Sequence, residues 1–254
     1  MDVSFQLYSA RNFQPWQHVL KRLASLGYAQ VEGFGGVYAQ PDEFAELMRS
    51  AGLTMPTAHF SLKAMEDEFD TSLALARGLG VECIFCPYLE EEARPVDNAG
   101  WKLFARRLAA IGENVNQAGL AFGWHNHDFE FKQMESGDCA QKIILEEAID
   151  IDWEADIAWI LRGGDEPLQW IEDYGHRITA VHVKDIAPSG QCEQEDGWAD
   201  VGHGIVSWRN ILRELKKHAK VRHLIVEHDN PSDFERFAQR SIEALKSMEA
   251  PENA

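Results

Sequence analysis

The 254-residue chain lacks the features that mark membrane, secreted and nucleic-acid-binding proteins. No run approaches the roughly 18 apolar residues that a transmembrane helix requires. The opening "MDVSFQLYSARNF" has no basic stretch followed by a long apolar core, so we expect no signal peptide. Only 24 basic residues stand against 42 acidic ones, and the formal charge of -18 repels phosphate backbones and anionic lipids. We therefore expect a cytoplasmic protein that binds neither nucleic acid nor membranes.

Cysteine is also scarce, and its four occurrences form no disulfide-like framework. Cys83 and Cys86 make a C-x-x-C motif, but their segment has the composition of a strand, where residues three apart point to opposite faces. A redox motif would normally open a helix, and a structural zinc site needs a second ligand pair. The sequence therefore favours ordinary buried thiols.

No Pro- or Gly-rich linker divides the chain, and 45% of its residues are hydrophobic. A chain of this length can bury a large core, so we expect a single domain over residues 1–254. Short β-rich runs recur along it, and segments of helical periodicity lie between them. The eight runs begin at Val3, Ala29, Met55, Glu82, Leu120, Ile149, Thr179 and His223.

This strict alternation predicts a parallel sheet with helical crossovers. Eight strand–helix units in about 250 residues match a closed (β/α)8 TIM barrel. An open doubly wound sheet is the alternative, but no G-x-G-x-x-G follows the first strand, and "GFGGVYAQ" after the second lacks the spacing. The longest irregular stretch, residues 187–204, follows the seventh strand and would lie on the face where such barrels build active sites.

Ionisable residues end four consecutive β-rich runs, in "WHNHDF", "DWEAD", "HVKD" and "VEHD". A buried ionisable group costs several kcal/mol unless it is paired or binds a metal. One polar strand end is commonly a solvated edge or a helix cap. Four adjacent ends that meet at one mouth of a barrel predict a functional site.

Alternation along the strands selects Asp156, His182 and Glu227 as side chains that approach one point. Mixed imidazole and carboxylate ligands suit a divalent ion such as Mn²⁺, Co²⁺, Zn²⁺ or Mg²⁺, and an oxygen-rich set favours Mn²⁺ or Mg²⁺. Each of the three residues has an ionisable neighbour on the same face. These neighbours are Glu154, Lys184 and Asp229.

A fourth ligand should come from the fifth strand, where alternation leaves two alternatives. His125 and His127 share a face, whereas Glu130 has the opposite phase in a straight strand. Glu130 turns inward only if the strand ends near Asp128. We favour Glu130 as the ligand, with His125 and His127 contacting the substrate. A straight strand would instead supply nitrogen ligands and shift the expected ion from Mn²⁺ towards Zn²⁺ or Co²⁺.

These motifs resemble the xylose isomerase-like TIM barrel superfamily, in its sugar phosphate isomerase/epimerase branch. The resemblance spans nearly the whole chain, from "FQLYSARNF" and "GYAQVEGFG" through "HNHDFEF" and "ADIAW" to "HRITAVHVKD" and "IVEHD". It implies one divalent ion at the C-terminal mouth and a substrate-facing His59 on the third strand. The ligands that it implies are Glu130, Asp156, His182 and Glu227. Ala158 and His203 stand where relatives commonly have glycine and glutamate, so we expect a different pocket shape.

The resemblance also implies a reaction, proton abstraction next to a carbonyl through a metal-stabilised enediolate. This chemistry suits a sugar isomerase or epimerase; a dehydratase or lyase acting on a keto sugar, 3-keto glycoside or inosose is the alternative. The expected catalytic residues are Glu130, Glu227, His127 and Lys184. An ion pair with Asp229 is the alternative role for Lys184. The expected substrate-binding residues are His59, His125, Trp16 and Trp124, although aromatic residues more often fill the space between strands and helices.

Two other classes stay open at this point. A metal-dependent endonuclease resembling endonuclease IV would share the barrel, but it would need a basic face that this acidic chain does not offer. A non-catalytic sugar-binding or subunit-partner barrel would be inert with metal present. The expected partner is a small sugar, unphosphorylated because Arg11, Lys184 and Arg209 are too scattered to form a phosphate pocket. Homo-oligomer formation is left open.

Overall fold

A computed structural model describes residues 2–249; residue 1 and residues 250–254, the ends of the expected single domain, lie outside the described residues. Eight parallel strands close into a barrel in the order β1-β10-β7-β6-β5-β4-β3-β2. This confirms the predicted (β/α)8 barrel, and each predicted β-rich run contains most of one barrel strand. The barrel strands are β1 (Val3–Gln6), β2 (Gln30–Gly33), β3 (Thr54–His59), β4 (Cys83–Cys86), β5 (Ala121–His125), β6 (Asp152–Asp156), β7 (Ile178–Val183) and β10 (His223–Val226).

A short antiparallel hairpin, β8 (Asp185–Ile186) with β9 (Trp198–Ala199), stands outside the barrel in the long stretch after β7. It is held at its base by Asp185, whose carboxylate accepts hydrogen bonds from the backbone N–H groups of Ile186, Gly202 and Val206. The irregular sequence between β7 and the next helix is therefore an ordered part of the C-terminal face.

Within residues 2–249, ten α-helices cover the barrel, and apolar side chains on their inner faces pack against it. In the first, Val19, Leu20 and Leu23 are buried, and Gly27 ends the helix in the left-handed conformation that glycine adopts at low cost. In the part of the chain that the structure describes, each helix is too short or too polar to cross a membrane. The helices are α1 (Trp16–Leu26), α2 (Pro41–Ser50), α3 (Leu62–Asp67), α4 (Phe69–Leu79), α5 (Asn98–Gln117), α6 (Ala140–Glu147), α7 (Ile157–Arg162), α8 (Pro167–Tyr174), α9 (Trp208–His218) and α10 (Phe234–Glu249).

The barrel interior contains both apolar and polar side chains. A small apolar cluster of Cys83, Phe85, Ala180 and Ile225 is separate from the main core that packs between strands and helices. Ala180 and Ile225 stand two residues before His182 and Glu227, so alternation puts all four side chains on the inner face. In the strand register, Ala180 lies opposite Glu154 and Ile225 lies opposite His182, so polar side chains stand beside the apolar cluster.

Strand register then sets the positions of the polar side chains. Asp156 of β6 lies opposite His182 of β7. Glu227 directly follows β10, and its backbone N–H donates a hydrogen bond to the carbonyl of Val183, the last residue of β7. The closed barrel thus places three ionisable side chains side by side at the C-terminal mouth.

Candidate active site

Buried ionisable side chains from six strands or their C-terminal ends meet inside the mouth. The structure brings Asp156, His182 and Glu227 together, as alternation predicts, and adds members from β2, β3 and β5. The full set is Glu32, His59, His125, Glu154, Asp156, His182 and Glu227.

Four of these residues, His125, Asp156, His182 and Glu227, form what we call the outer cluster. Each offers one nitrogen or oxygen atom, and these atoms lie within 4.8 Å of one another. The Nδ1 atom of His182 lies 2.8 Å from Glu227 Oε2 and 4.0 Å from Asp156 Oδ2. All four side chains are buried.

The donor set and its hydrogen bonding fit a divalent ion. Two imidazoles and two carboxylates are common ligands of Zn²⁺, Co²⁺ and Mn²⁺. In addition, Asp156 Oδ2 and His125 Nδ1 are buried and make no hydrogen bond, although Lys184 Nζ lies 3.3 Å from the first and Glu154 Oε2 lies 3.2 Å from the second. Such atoms cost free energy until they find a partner, and a bound cation would supply one.

Lys184 is the positive charge beside this cluster. Its Nζ lies 2.8 Å from both Glu227 and Asp229 and 3.3 Å from Asp156. Burial disfavours the ammonium form, but the carboxylates outweigh it and raise the pKa of Lys184. The Nζ atom also lies 4.7 Å from the centre of the Trp198 ring. Lys184 therefore has both environments that the sequence suggested, near the cluster and in an ion pair with Asp229.

The same network keeps Glu227 ionised. Burial alone would raise the pKa of its carboxyl group, but Lys184 and His182 outweigh that effect and lower the pKa. Asp156 differs, because burial is the larger effect there and raises its pKa despite Lys184. Glu227 is therefore the carboxylate of the cluster that these neighbours hold in the charged form.

Glu130 does not join the outer cluster, contrary to the expectation from the sequence. Strand β5 ends at His125, and the chain bends into a 3-10 helix at Phe129–Phe131, but the bend turns Glu130 away. Its carboxylate accepts hydrogen bonds from Trp124 Nε1 at 3.1 Å and from the His127 backbone N–H at 3.0 Å. Burial raises the pKa of Glu130 to about 8. His125 takes the place in the cluster that we assigned to Glu130.

A cavity of about 880 Å³ opens above the cluster. His59, His125, His127 and Glu227 line it, as we expected of residues that face a substrate. Desolvation lowers the pKa of His127 to about 3, so this imidazole is neutral at neutral pH. The aromatic side chains in the wall are Tyr8, Phe34, Tyr38, Phe60, Tyr88, Phe129 and Trp159.

The two tryptophans expected to contact substrate lie elsewhere. Trp124 is fully buried on the outer side of the barrel wall, where its ring packs against Phe104 of α5 at 5.2 Å between centroids. It precedes His125, so alternation gives it the opposite face. Trp16 lies behind Phe34, 6.2 Å away between ring centroids, and does not line the cavity. Trp159, which sequence reasoning missed, is the tryptophan that does.

Glu32 is a second residue that sequence reasoning missed. It is fully buried on β2, and its Oε2 lies 2.7 Å from His182 Nε2. Burial opposes its charge, but His59 and His182 outweigh that effect and lower the pKa of Glu32. The signal was present in "AQVEGFG", where a lone carboxylate sits in an otherwise apolar strand.

Of the two departures from the family pattern, Ala158 is buried in the first turn of α7, next to Trp159. His203 is exposed in the turn after β9 and does not line the cavity.

Comparison with known proteins agrees with this architecture. A family model described as xylose isomerase-like TIM barrel matches residues 20–248. No curated protein matches the chain.

Solved structures resemble the chain over nearly its whole length. A sugar phosphate isomerase/epimerase from Parabacteroides distasonis is 21% identical, with a TM-score of 0.82 over 98% of this chain and 94% of the other. The IOLI protein with a binding zinc atom is 14% identical, with a TM-score of 0.79 over 98% of both chains. The probable 3-DHS dehydratase AsbF from Bacillus anthracis is 13% identical, with a TM-score of 0.77 over 97% of this chain and 99% of the other. At these identities the likeness establishes the fold.

Proposed function

This chain belongs to the xylose isomerase-like TIM barrel family, and from that premise we propose that it is a metal-dependent sugar isomerase or epimerase. The reaction would remove a proton next to a carbonyl group. The observation that carries the proposal is the outer cluster, which has a metal-ligand composition and lies at the floor of a large cavity. The name of the Parabacteroides structure supports the same class of reaction.

The divalent ion would be held by His125, Asp156, His182 and Glu227. When bound, such an ion polarises a carbonyl oxygen and offsets the negative charge of an enediolate. Because an imidazole stands where we expected a carboxylate, the set favours Zn²⁺ or Co²⁺ over the Mn²⁺ or Mg²⁺ that an oxygen-rich site would prefer. The zinc atom named with the IOLI protein agrees with this preference.

Residues in and next to the cavity would transfer the proton, stabilise the developing charge and bind the substrate hydroxyls. Glu227 is ionised and lines the cavity, so it is our candidate for the base that accepts the proton. Lys184 fixes the position of Glu227 from 2.8 Å and supplies positive charge to the developing oxyanion. Neutral His127 can exchange hydrogen bonds with a substrate hydroxyl. Return of the proton to the opposite face gives an epimer, and its delivery to the neighbouring carbon gives an isomer.

We propose an unphosphorylated keto sugar as the substrate. Two cations line the cavity within the described residues, and both have partners. Arg94 lies 3.7 Å over the Phe129 ring and donates hydrogen bonds to the Tyr88 hydroxyl and the Leu89 carbonyl. Lys132 pairs with Asp128 at 3.4 Å. The aromatic wall, with Phe34 and Trp159, suits the apolar face of a sugar ring.

The test is a screen of keto sugars, 3-keto glycosides and inososes in deuterated water, with Zn²⁺, Co²⁺ or Mn²⁺ added. We expect deuterium to enter the carbon next to the carbonyl and an isomer or epimer to form. The variant Glu227→Gln should keep its circular dichroism spectrum and lose exchange by about 10²-fold to 10⁴-fold.

Three other results of these measurements would contradict the proposed function. Loss of water or of a glycosidic group would identify a dehydratase or lyase instead. Exchange in Glu227→Gln at the wild-type rate would remove Glu227 from the reaction. A metal-loaded wild-type chain that binds sugar without any exchange would favour a non-catalytic binding protein.

A further inference from the structure

Below the outer cluster, four potential ligand atoms form a closed ring inside the barrel, which we call the inner ring. Its atoms are Glu32 Oε2, His59 Nε2, Glu154 Oε2 and His182 Nε2. Carboxylate oxygens and imidazole nitrogens alternate around it. The four consecutive separations, starting from His59 to Glu32, are 3.2, 2.7, 3.3 and 2.7 Å.

The size of the ring is close to that of a metal coordination sphere. Zn²⁺ most often has four tetrahedral ligands, and imidazole nitrogens with carboxylate oxygens are among them. Bonds of about 2 Å hold such ligand atoms about 3.3 Å apart, which the separations of 3.2 and 3.3 Å match. The two separations of 2.7 Å would open by roughly 0.6 Å to admit the ion.

A second observation points to a ligand that is not part of the protein. The second oxygens of both ring carboxylates, Glu32 Oε1 and Glu154 Oε1, are buried without hydrogen-bond partners. Native proteins rarely leave two such carboxylate oxygens unsatisfied at one place.

We propose that the inner ring is a cation site in its own right, which takes Zn²⁺ or Co²⁺ through Glu32, His59, Glu154 and His182. It is distinct from the outer cluster because the ring contains neither Asp156 nor Glu227. His182 faces the ring with Nε2 and the outer cluster with Nδ1, so one imidazole contributes to both. The ion would neutralise two carboxylates, Glu32 and Glu154, that are fully buried.

The first variant replaces both carboxylate ligands of the outer cluster, so that any remaining Zn²⁺ binding belongs to the inner ring. In the double variant Asp156→Asn/Glu227→Gln, isothermal titration with Zn²⁺ and plasma emission spectrometry after gel filtration should still find about one ion per chain. Zn²⁺ should also raise its unfolding temperature. Adding Glu32→Gln should weaken Zn²⁺ binding by about 100-fold or more and abolish that thermal shift.

Glu130→Gln in the same background is the matched control, because Glu130 is a buried glutamate outside both sites. It should leave Zn²⁺ binding unchanged. Failure of the double variant to bind Zn²⁺ would overturn the proposal, and so would unchanged binding after Glu32→Gln. Either result would identify the ring as a hydrogen-bonded network only.

A measurement on the wild-type chain covers the case in which these variants fail to fold. Crystals grown with Zn²⁺ and measured at the zinc absorption edge should show an anomalous peak between Glu32, His59, Glu154 and His182. A peak confined to the neighbourhood of Asp156 and Glu227 would contradict the proposal. None of these measurements depends on catalytic activity, so the inner site and the proposed reaction can fail separately.

Discussion

Glu130 and His125 lie five residues apart in the sequence and on opposite sides of the barrel wall. His125 ends β5 and faces the interior, whereas Glu130 accepts hydrogen bonds from an indole and a backbone amide behind the strand. A carboxyl group that has both oxygens paired behind the wall is poorly placed to reach a metal at the mouth. The choice of fifth-strand ligand therefore depends on where regular alternation stops.

This difference predicts opposite effects of two alanine substitutions on metal content. His125→Ala should lose the ion of the outer cluster, about one Zn²⁺ per chain, because it removes a donor of that cluster. Glu130→Ala should keep its metal, although it should unfold at a lower temperature because two buried donors lose their acceptor. Plasma emission spectrometry after dialysis against limiting Zn²⁺ makes the comparison. Loss of metal in Glu130→Ala alone would restore our first assignment.

The raised pKa of Glu130 also predicts a pH dependence of stability. The folded value is about 8 against 4.5 for an ordinary glutamate, so the unfolded chain ionises first as pH rises. The stability contributed by the neutral carboxyl is therefore complete below pH 4.5 and is lost as pH rises to about 8. Urea unfolding of the wild type and of Glu130→Gln across this range should show a stability difference that declines with pH. A stability difference that does not change with pH would contradict the prediction that the buried carboxyl of Glu130 is neutral.

At the scale of elements, β5 is packed too tightly to accept any side chain at Gly123. A Cβ atom there would overlap the Phe85 ring and lie 2.5 Å from the Asp152 backbone oxygen on the neighbouring strand. The strand that carries His125 therefore depends on a glycine in its middle. Its position in the barrel is fixed by contact as well as by hydrogen bonds.

We expect Gly123→Ala to destabilise the protein by about 1–3 kcal/mol, the usual cost of overpacking a core. The matched control is Gly78→Ala on the exposed side of α4, where an added Cβ meets nothing within 4 Å. That change should stabilise the helix by about 0.5–1 kcal/mol, because alanine is the better helix former. Denaturant unfolding measures both. A neutral Gly123→Ala would mean that β5 can shift away from β6.

The alternation of side chains along strands explains which site residues could be predicted from the sequence. Alternation within β6, β7 and β10 placed Asp156, His182 and Glu227 correctly, because all three lie in regular strands or one residue beyond. For the fifth strand, alternation gave Glu130 the phase opposite to His125, as the structure has it. The assignment of Glu130 to the metal followed the family resemblance, and it needed a bend that turns Glu130 inward, whereas the 3-10 helix after β5 turns it away. Alternation overlooked Glu32, because its partner His182 lies 150 residues away, and only barrel closure brings β2 and β7 within reach.

At the scale of the whole molecule, closure joins the two ends of the chain, since β1 pairs with β10. The same compact body carries a formal charge of -18, which is spread over a larger volume when the chain unfolds. Self-repulsion of this kind opposes the folded state and is screened by salt.

Stability should therefore rise with ionic strength. Increasing NaCl from about 20 mM to about 200 mM shortens the Debye length to below 10 Å and should raise the unfolding temperature by a few degrees. Differential scanning fluorimetry without divalent ions measures the shift, and KCl at the same ionic strength should give the same shift. A lower unfolding temperature in NaCl would mean that local ion pairs, such as Arg222 with Asp152, dominate the repulsion.

The hairpin after β7 gives the molecule an optical property. The Trp198 ring lies 3.2 Å from the Arg162 guanidinium carbon and 4.7 Å from the Lys184 ammonium, which itself contacts Glu227. An indole emits at a wavelength set by the electric field across its ring, and here that field comes from charges shared with the mouth of the barrel. A cation that enters beside Glu227 should therefore shift the emission of Trp198 and of Trp159, whose ring lies 5.2 Å from the same ammonium. Trp198→Phe should reduce the shift, and replacing both tryptophans should remove it. The intrinsic fluorescence of these two residues then reports, without added dye, on whether the mouth is occupied.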